Sequence, residues 1–262
     1  MGNFASELEL TNGINRVDLS ESNFRFIKEF SVLKLQGDKK YVFEESPYET
    51  GLLVLEGSCE IEINGQIEKI LGSRKDVFSG QPTAAYIPIH TKFTLKSQSA
   101  SIGLCRAECK EKTEPAIIRP SQVKEMAVGK DNWARKVRMI IGPDSPSVNM
   151  LIGETINIPG NWSGTPPHKH EAKIFQKESL HEELYYFKTE KPQGWGIERL
   201  YSPDRNINEL IYLKENTVTF MPWGYHQIVA GPGYALYYLF FLAGEGKNLS
   251  GCEDPDHCWI KQ

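Results

Sequence analysis

An all-β chain made of two successive small barrels is the fold this sequence predicts, and three observations carry that expectation. Short runs of alternating apolar and polar residues recur along the whole chain, bounded by Gly, Pro and Asn. Long stretches of helical periodicity are missing. The second half also repeats the programme of the first. Thr50-Gly51-Leu52-Leu53-Val54-Leu55 has its counterpart in Glu183-Leu184-Tyr185-Tyr186-Phe187-Lys188, and Tyr86-Ile87-Pro88-Ile89-His90 in Phe220-Met221-Pro222-Trp223-Gly224. The expected units are residues 1–130 and 131–262.

In the first half, Phe24 to Leu35 alternates as a half-buried strand does, and Lys39 to Glu44 is a second extended run. Gly51 to Leu55 and Cys59 to Ile63 read as two strands of hairpins in series. A Gly57-containing turn separates them, and Asn64-Gly65 closes the second. Ala84 to Leu95 adds strand broken by Pro88, and Ser101 to Glu108 another. Lys110 to Asp131 is charged and carries two prolines, as a linker does. Within it, Ser121 to Met126 reads as a short helix capped by Ser121. Strand character resumes at Arg135 to Ile141 and Val148 to Ile158. Six further runs, from Glu183–Lys188 to Ala235–Leu242, complete the second half.

The chain has 262 residues, 40% hydrophobic and 24% charged, which is enough for one large core or two medium ones and excludes a disordered polymer. A net charge of −4 gives no electrostatic case for nucleic acid or an anionic membrane. No apolar run approaches the roughly 18 residues that span a bilayer. Met1 to Leu10 lacks the basic and apolar regions of a secretory signal. Five cysteines without framework spacing fit reduced thiols, and a cytoplasmic protein is expected. Cys252 and Cys258 bracket His257 in a spacing that fits no common zinc pattern. Exposed strand edges are compatible with a homo-oligomer, but no feature fixes its size.

The chemistry is concentrated in Pro166-Pro167-His168-Lys169-His170. On an extended segment, side chains alternate, so His168 and His170 face the same way. Joined by a carboxylate, read as Glu183, and by the imidazole of His226, they form a donor set for a divalent transition metal. Three nitrogens and one oxygen leave a position for water or substrate, as catalytic rather than structural metals require. Glu171, Glu178 and Glu182 are the other acids near enough in sequence. The first half carries Val42-Phe43-Glu44-Glu45 where the second has its histidines, so only the second barrel is armed. The first is expected to pack against it and shape its mouth.

Gly164, His168-x-His170, Glu183 and Gly196, followed by Pro222-Trp223-Gly224-Tyr225-His226, resemble the two motifs of the cupin superfamily. Two departures mark a narrower group. Twelve residues separate His170 from Glu183, which makes Glu171 to Ser179 an inserted loop, and a single residue separates Gly224 from His226. The whole chain resembles the 5-deoxy-glucuronate isomerases of inositol catabolism, a two-cupin family. Arg74-Lys75-Asp76-Val77-Phe78, Gly160-Asn161-Trp162-Ser163 and Glu182-Glu183-Leu184-Tyr185-Tyr186 carry that likeness, with Tyr201-Ser202-Pro203-Asp204-Arg205 and Asp254-Pro255-Asp256-His257. The resemblance implies a bicupin and a metal held by His168, His170, Glu183 and His226, with Glu183 taken over Glu182 because it directly precedes Leu-Tyr-Tyr.

The implied reaction converts 5-deoxy-D-glucuronate into 5-dehydro-2-deoxy-D-gluconate, moving hydrogen between adjacent carbons. Zinc is favoured because no redox step is needed, while manganese, iron, cobalt and nickel share the same donor preferences. Tyr185 and Tyr225, each near a ligand, are the expected acid–base residues. A substrate carboxylate calls for a cation, and Arg199 is preferred to Lys169, which alternates away from its flanking histidines. The competing readings are an isomerase of a related deoxy uronate, a non-haem iron cupin dioxygenase and a non-enzymatic sugar-acid-binding barrel.

Overall fold

Strand pairing in the computed structural model, which describes residues 4–261, is antiparallel throughout and builds three sheets. The first is seven-stranded and uses only residues from Gly13–Arg16 to Ala116–Ile118, centred on Ile27–Phe43, Phe93–Glu108 and Tyr48–Ile63. The second is eight-stranded. Its middle is Thr217–Met221, Glu178–Thr189, Leu236–Gly244 and Met150–Asn157, flanked by Arg135–Ile141 and Lys124–Val128. The third places Gly196–Ser202, Tyr225–Ala230 and Trp162–Lys169 side by side, with Ile207–Leu213 and Cys252–Glu253 at its edges. Strand pairing crosses residue 130 twice: Ala5–Glu7 and Lys124–Val128 both join the second sheet.

Several long strands are buried on both faces, which is why their sequences read as apolar runs rather than clean alternations. Leu52 and Val54 point into the core of the first barrel beside Leu33, Leu35 and Leu95. Leu53 and Leu55 point the other way, into a core shared with Leu184, Tyr186, Phe220 and Phe241 of the second half. Tyr185, Phe187, Leu200, Ile228 and Phe240 fill the second barrel. The three cores are thus one barrel interior, one interface and another barrel interior. Burying each such large side chain stabilises by roughly 1.5–3 kcal/mol.

Two carboxylates staple the halves at positions that the internal repeat makes equivalent. Glu49, immediately before Thr50, accepts from the amides of Val148 and Asn149, both at 2.8 Å, and from the Tyr86 hydroxyl at 2.9 Å. Glu182, immediately before Glu183, accepts from the amides of Arg25, Phe26 and Ile27 at 2.5, 2.6 and 3.0 Å. Each half therefore clamps the backbone of the other through the same strand position. Glu49→Ala leaves two half-buried amides without an acceptor and the Tyr86 hydroxyl with Thr113 alone, at 3.0 Å. A loss of about 2–4 kcal/mol is expected on urea denaturation, with metal content unchanged.

Three local expectations are corrected. Gly57, with φ of +76°, pairs with Ala100 between two register shifts and makes no turn, so Tyr48–Ile63 runs as one bulged strand. Both of its parts pair with Phe93–Glu108, which leaves no room for a reversal; Asn64-Gly65 makes the hairpin turn, both at positive φ. The helix expected over Ser121 to Met126 is a 3-10 turn, Pro120–Gln122, followed by strand Lys124–Val128. A six-residue helix has too few hydrogen bonds to compete with a ladder, and here Arg138 holds Glu125 across that ladder at 2.6 Å. The segment after His170 is a small hairpin, Glu171–Ile174 against Glu178, rather than an open loop. No helix among the described residues is long and apolar enough to cross a membrane.

Candidate metal centre

Register brings the histidines together. Strand Trp162–Lys169 pairs with Tyr225–Ala230 so that His168 lies directly opposite His226, and both point into the second barrel. Gly164, at φ +66°, makes this approach feasible, since a Cβ there would stand 3.1 Å from the His226 carbonyl oxygen. Strand Glu178–Thr189 supplies Glu183 from the facing sheet, with Tyr185 and Phe187 on the same side. The ligand atoms of His170, Glu183 and His226 all lie within 4.8 Å of one another, and all three residues are buried. Glu183 Oε2 is 2.9 Å from His170 Nε2 and 3.1 Å from His226 Nε2. His168 stands next to this group rather than inside it, its ring centred 4.9 Å from that of His226. Gly251 packs against the His168 ring.

The outer contacts of two imidazoles decide their tautomers. His170 Nδ1 lies 2.8 Å from the carbonyl oxygen of His181, and His226 Nδ1 lies 3.3 Å from that of Gly224. A carbonyl only accepts, so each Nδ1 carries a proton, and each ring, when neutral, presents its Nε2 lone pair to Glu183. Two lone pairs and a carboxylate facing one another in a buried site repel unless a cation lies among them. His226 Nε2 is buried and makes no hydrogen bond. The residues present therefore fit a divalent metal, oriented as imidazole ligands usually are by their second nitrogen.

Charge follows the same geometry. Burial pushes the Glu183 carboxyl up, yet without a metal the hydrogen bonding and positive charge of His170 and His226 in their protonated forms outweigh it and hold the group below the ordinary carboxylate range. Burial, then the neighbouring His226 and His170, drive His168 down to about 3, so it is a neutral imidazole. Tyr185 is pushed well above its ordinary value, first by burial and then by the charge of Glu183, and it keeps its phenolic proton.

A cavity of about 190 Å³ opens from the cluster and is lined by His168, His170, Glu183 and Tyr185, then Tyr238, Ser163 and Arg135. Three residues expected from sequence to act here lie on the other face of the third sheet. Tyr225 precedes the inward His226 and stacks on Tyr201 at 5.3 Å. Lys169 alternates outward, 2.5 Å from Glu171 and over the Tyr225 ring. Arg199 pairs in register with Gln227, one residue past His226, and lies on the Tyr201 ring while donating to Asn208. Strand parity turns all three away from the cavity, which corrects the roles expected for Tyr225, Lys169 and Arg199. Glu182, turned to its backbone staple, is not a ligand either.

Arg135 and Glu198 were missed. Arg135 shares a strand face with Val137 and Met139, both packed on the second core, and that alternation was the available signal. Glu198 is fully buried in the second barrel, and neither carboxylate oxygen makes a hydrogen bond. Burial, reinforced by the charge of Glu183, pushes it up to about 8. A carboxyl protonated in the folded state and ionised in the unfolded one destabilises as pH rises from about 4.5 to 8. Metal-free protein should lose up to about 1.4 kcal/mol per pH unit across that window from this group. Glu198→Gln should flatten the slope in denaturation series at pH 5 to 8.

Fold and site together define a bicupin whose second barrel holds a buried His/Glu centre. The same two-barrel fold occurs in the Lactobacillus farciminis oxalate decarboxylase formate complex, with TM-score 0.72 and 10% identity over 100% of this chain and 90% of that one. It also occurs in an IolB-like protein from Salmonella typhimurium LT2, with TM-score 0.94 and 24% identity over 99% and 100%. The model of the KduI/IolB family matches residues 10–260, and the chain belongs to that family. Curated relatives named 5-deoxy-glucuronate isomerase include one from Geobacillus kaustophilus, 33% identical over 84% of this chain and 80% of its own length. Another, from Bacillus licheniformis, is 31% identical over 96% and 95%. These relatives mark the chain as an enzyme of the isomerase class.

Proposed function

We propose that the chain is a metal-dependent aldose–ketose isomerase that converts 5-deoxy-D-glucuronate into 5-dehydro-2-deoxy-D-gluconate in inositol catabolism. The observation that carries this reading is the convergence of His170, Glu183 and His226 at the end of a small-molecule cavity, in a chain related over nearly its full length to proteins of that name. We assign His168, neutral and facing His226, as the fourth donor. Zinc is our choice of metal, since the isomerisation needs no redox change and the N and O donors suit it. When bound, a divalent cation supplies an electrophile for the carbonyl and neighbouring hydroxyl oxygens of the sugar.

The chain's own groups do the rest. Tyr185, on the cavity wall with its ring 5.9 Å from that of His226, stays a neutral phenol and donates a hydrogen bond where negative charge develops on oxygen. Phe240 and Leu242 line the same space and keep water from the reacting carbons. Purified protein with 5-deoxy-glucuronate in heavy water, without oxygen, should give the ketone by proton NMR. Solvent deuterium in the product marks proton transfer, and its absence a hydride shift. Oxygen consumption with no ketone would overturn the isomerase reading.

A further inference from the structure

Among the described residues, Arg135 is the only arginine or lysine lining the cavity at the candidate metal centre. It opens strand Arg135–Ile141, and its neighbours on the same face, Val137 and Met139, pack into the second barrel. Lys136 and Arg138, of opposite parity, face Glu125 instead. The guanidinium donates through Nη1 to the Trp133 carbonyl at 3.2 Å, while its Nε is buried and has no partner. No carboxylate pairs with it among the described residues, although six of the chain's other arginines do have acidic partners: Arg16, Arg74, Arg106, Arg119, Arg138 and Arg205. A buried donor on a fixed charge that nothing in the protein satisfies is costly unless something else does so.

The groups between Arg135 and the metal centre form a sequence in space. The positive charge of Arg135 acts on Tyr238, whose hydroxyl is hydrogen-bonded to that of Ser163. The Tyr238 ring is centred 4.7 Å from that of Tyr185, which in turn is 5.9 Å from that of His226. With a divalent metal held by the cluster, one end of the cavity would offer an electrophile for a carbonyl, and the other offers a guanidinium, with hydroxyls between. An open-chain sugar acid has the same polarity: carbonyl at one end, hydroxyls along its length and carboxylate at the other.

We propose that Arg135 binds the substrate carboxylate and makes the cavity specific for sugar acids over neutral sugars, holding the substrate extended with its carbonyl at the His170–Glu183–His226 cluster. This rests on the isomerase reading for the identity of the substrate, but not for the existence of an acid-binding subsite. A planar guanidinium with free donors suits a carboxylate better than an ammonium would.

The test is calorimetric titration of metal-reconstituted protein with D-gluconate and with sorbitol, its neutral counterpart. Wild type should bind gluconate and prefer it to sorbitol. Arg135→Met should weaken gluconate about 10- to 100-fold and abolish the preference. Arg135→Lys should retain part of it. Arg199→Met, on the outer face, should bind as wild type does. Metal content and thermal midpoint, measured on each variant, separate lost recognition from lost folding, and Arg135→Gln serves if the Met variant is unstable. For 5-deoxy-glucuronate, KM should rise far more than kcat falls. Equal gluconate affinity in wild type and Arg135→Met overturns the proposal, as does a wild type that does not prefer gluconate. Gluconate binding through Arg135 with no turnover of 5-deoxy-glucuronate would uphold the subsite and overturn the isomerase reading instead.

Discussion

His226→Ala is expected to release the divalent metal and to lower turnover by roughly 10³-fold or more, while the barrel stays folded. Its ring reaches the centre from one strand, is oriented by the Gly224 carbonyl, and presents Nε2 without any hydrogen-bond partner. That nitrogen faces Glu183, 3.1 Å away, and makes no hydrogen bond, so its removal takes a metal donor from the site without breaking another bond. Elemental analysis should find metal in the wild type and a stoichiometry well below one in the variant. The thermal midpoint of the variant should match that of chelator-treated wild type. His170→Ala should behave likewise. A His226→Ala protein that keeps both metal and turnover would mean the centre lies elsewhere.

The second large effect is structural and distant from the chemistry. Glu154 is fully buried between the halves and accepts two contacts from Arg74 at 3.0 and 2.9 Å, one from Arg138 at 2.7 Å and one from the Tyr237 hydroxyl at 3.1 Å. Arg74 also donates to the Val54 carbonyl, and Arg138 to that of Gly80. Glu154→Ala leaves two guanidinium groups in the interior with too little negative charge. A loss of about 3–5 kcal/mol is expected in denaturant titrations, enough to leave much of the chain unfolded at 37 °C. Replacing Glu154 and Arg74 together by Leu and Met should recover much of that loss, because an apolar pair carries no desolvation cost. A double variant no better than Glu154→Ala would show that the ion pair itself stabilises the interface.

What the sequence made legible follows from local periodicity. Strands appear wherever one or both faces are buried, and the repeat of Thr50–Leu55 at Glu183–Lys188 locates even the two staples, although Glu49 and Glu182 were not recognised as such. Tyr185 and Glu183 fall on the inner face by parity alone. Arg199 could not be placed that way. Its side is set by the register of Gly196–Ser202 against Tyr225–Ala230, where Leu200 and not Arg199 meets His226, and register is a long-range property. Lys169 was read as alternating away from its histidines, and Tyr225 was legible by the same argument, since it adjoins the inward His226 and must therefore point outward. Arg135 was hidden by distance along the chain, though Val137 and Met139 beside it gave its face away. Gly57 misled because one positive-φ glycine serves a turn and a bulged, continuous strand equally, and only the shared partner strand distinguishes them. The Glu154 network left one trace, a lone acid within the apolar run Met150–Asn157.

The central claim is that the cluster of His170, Glu183 and His226 binds a divalent metal on which isomerisation depends. Chelator-stripped protein, dialysed free of chelator and titrated with zinc, tests it most directly when 5-deoxy-glucuronate conversion is followed at each addition. Activity absent from the stripped protein and rising to a plateau at about one equivalent per chain is the predicted result. Full conversion by protein that elemental analysis shows to be metal-free would contradict it.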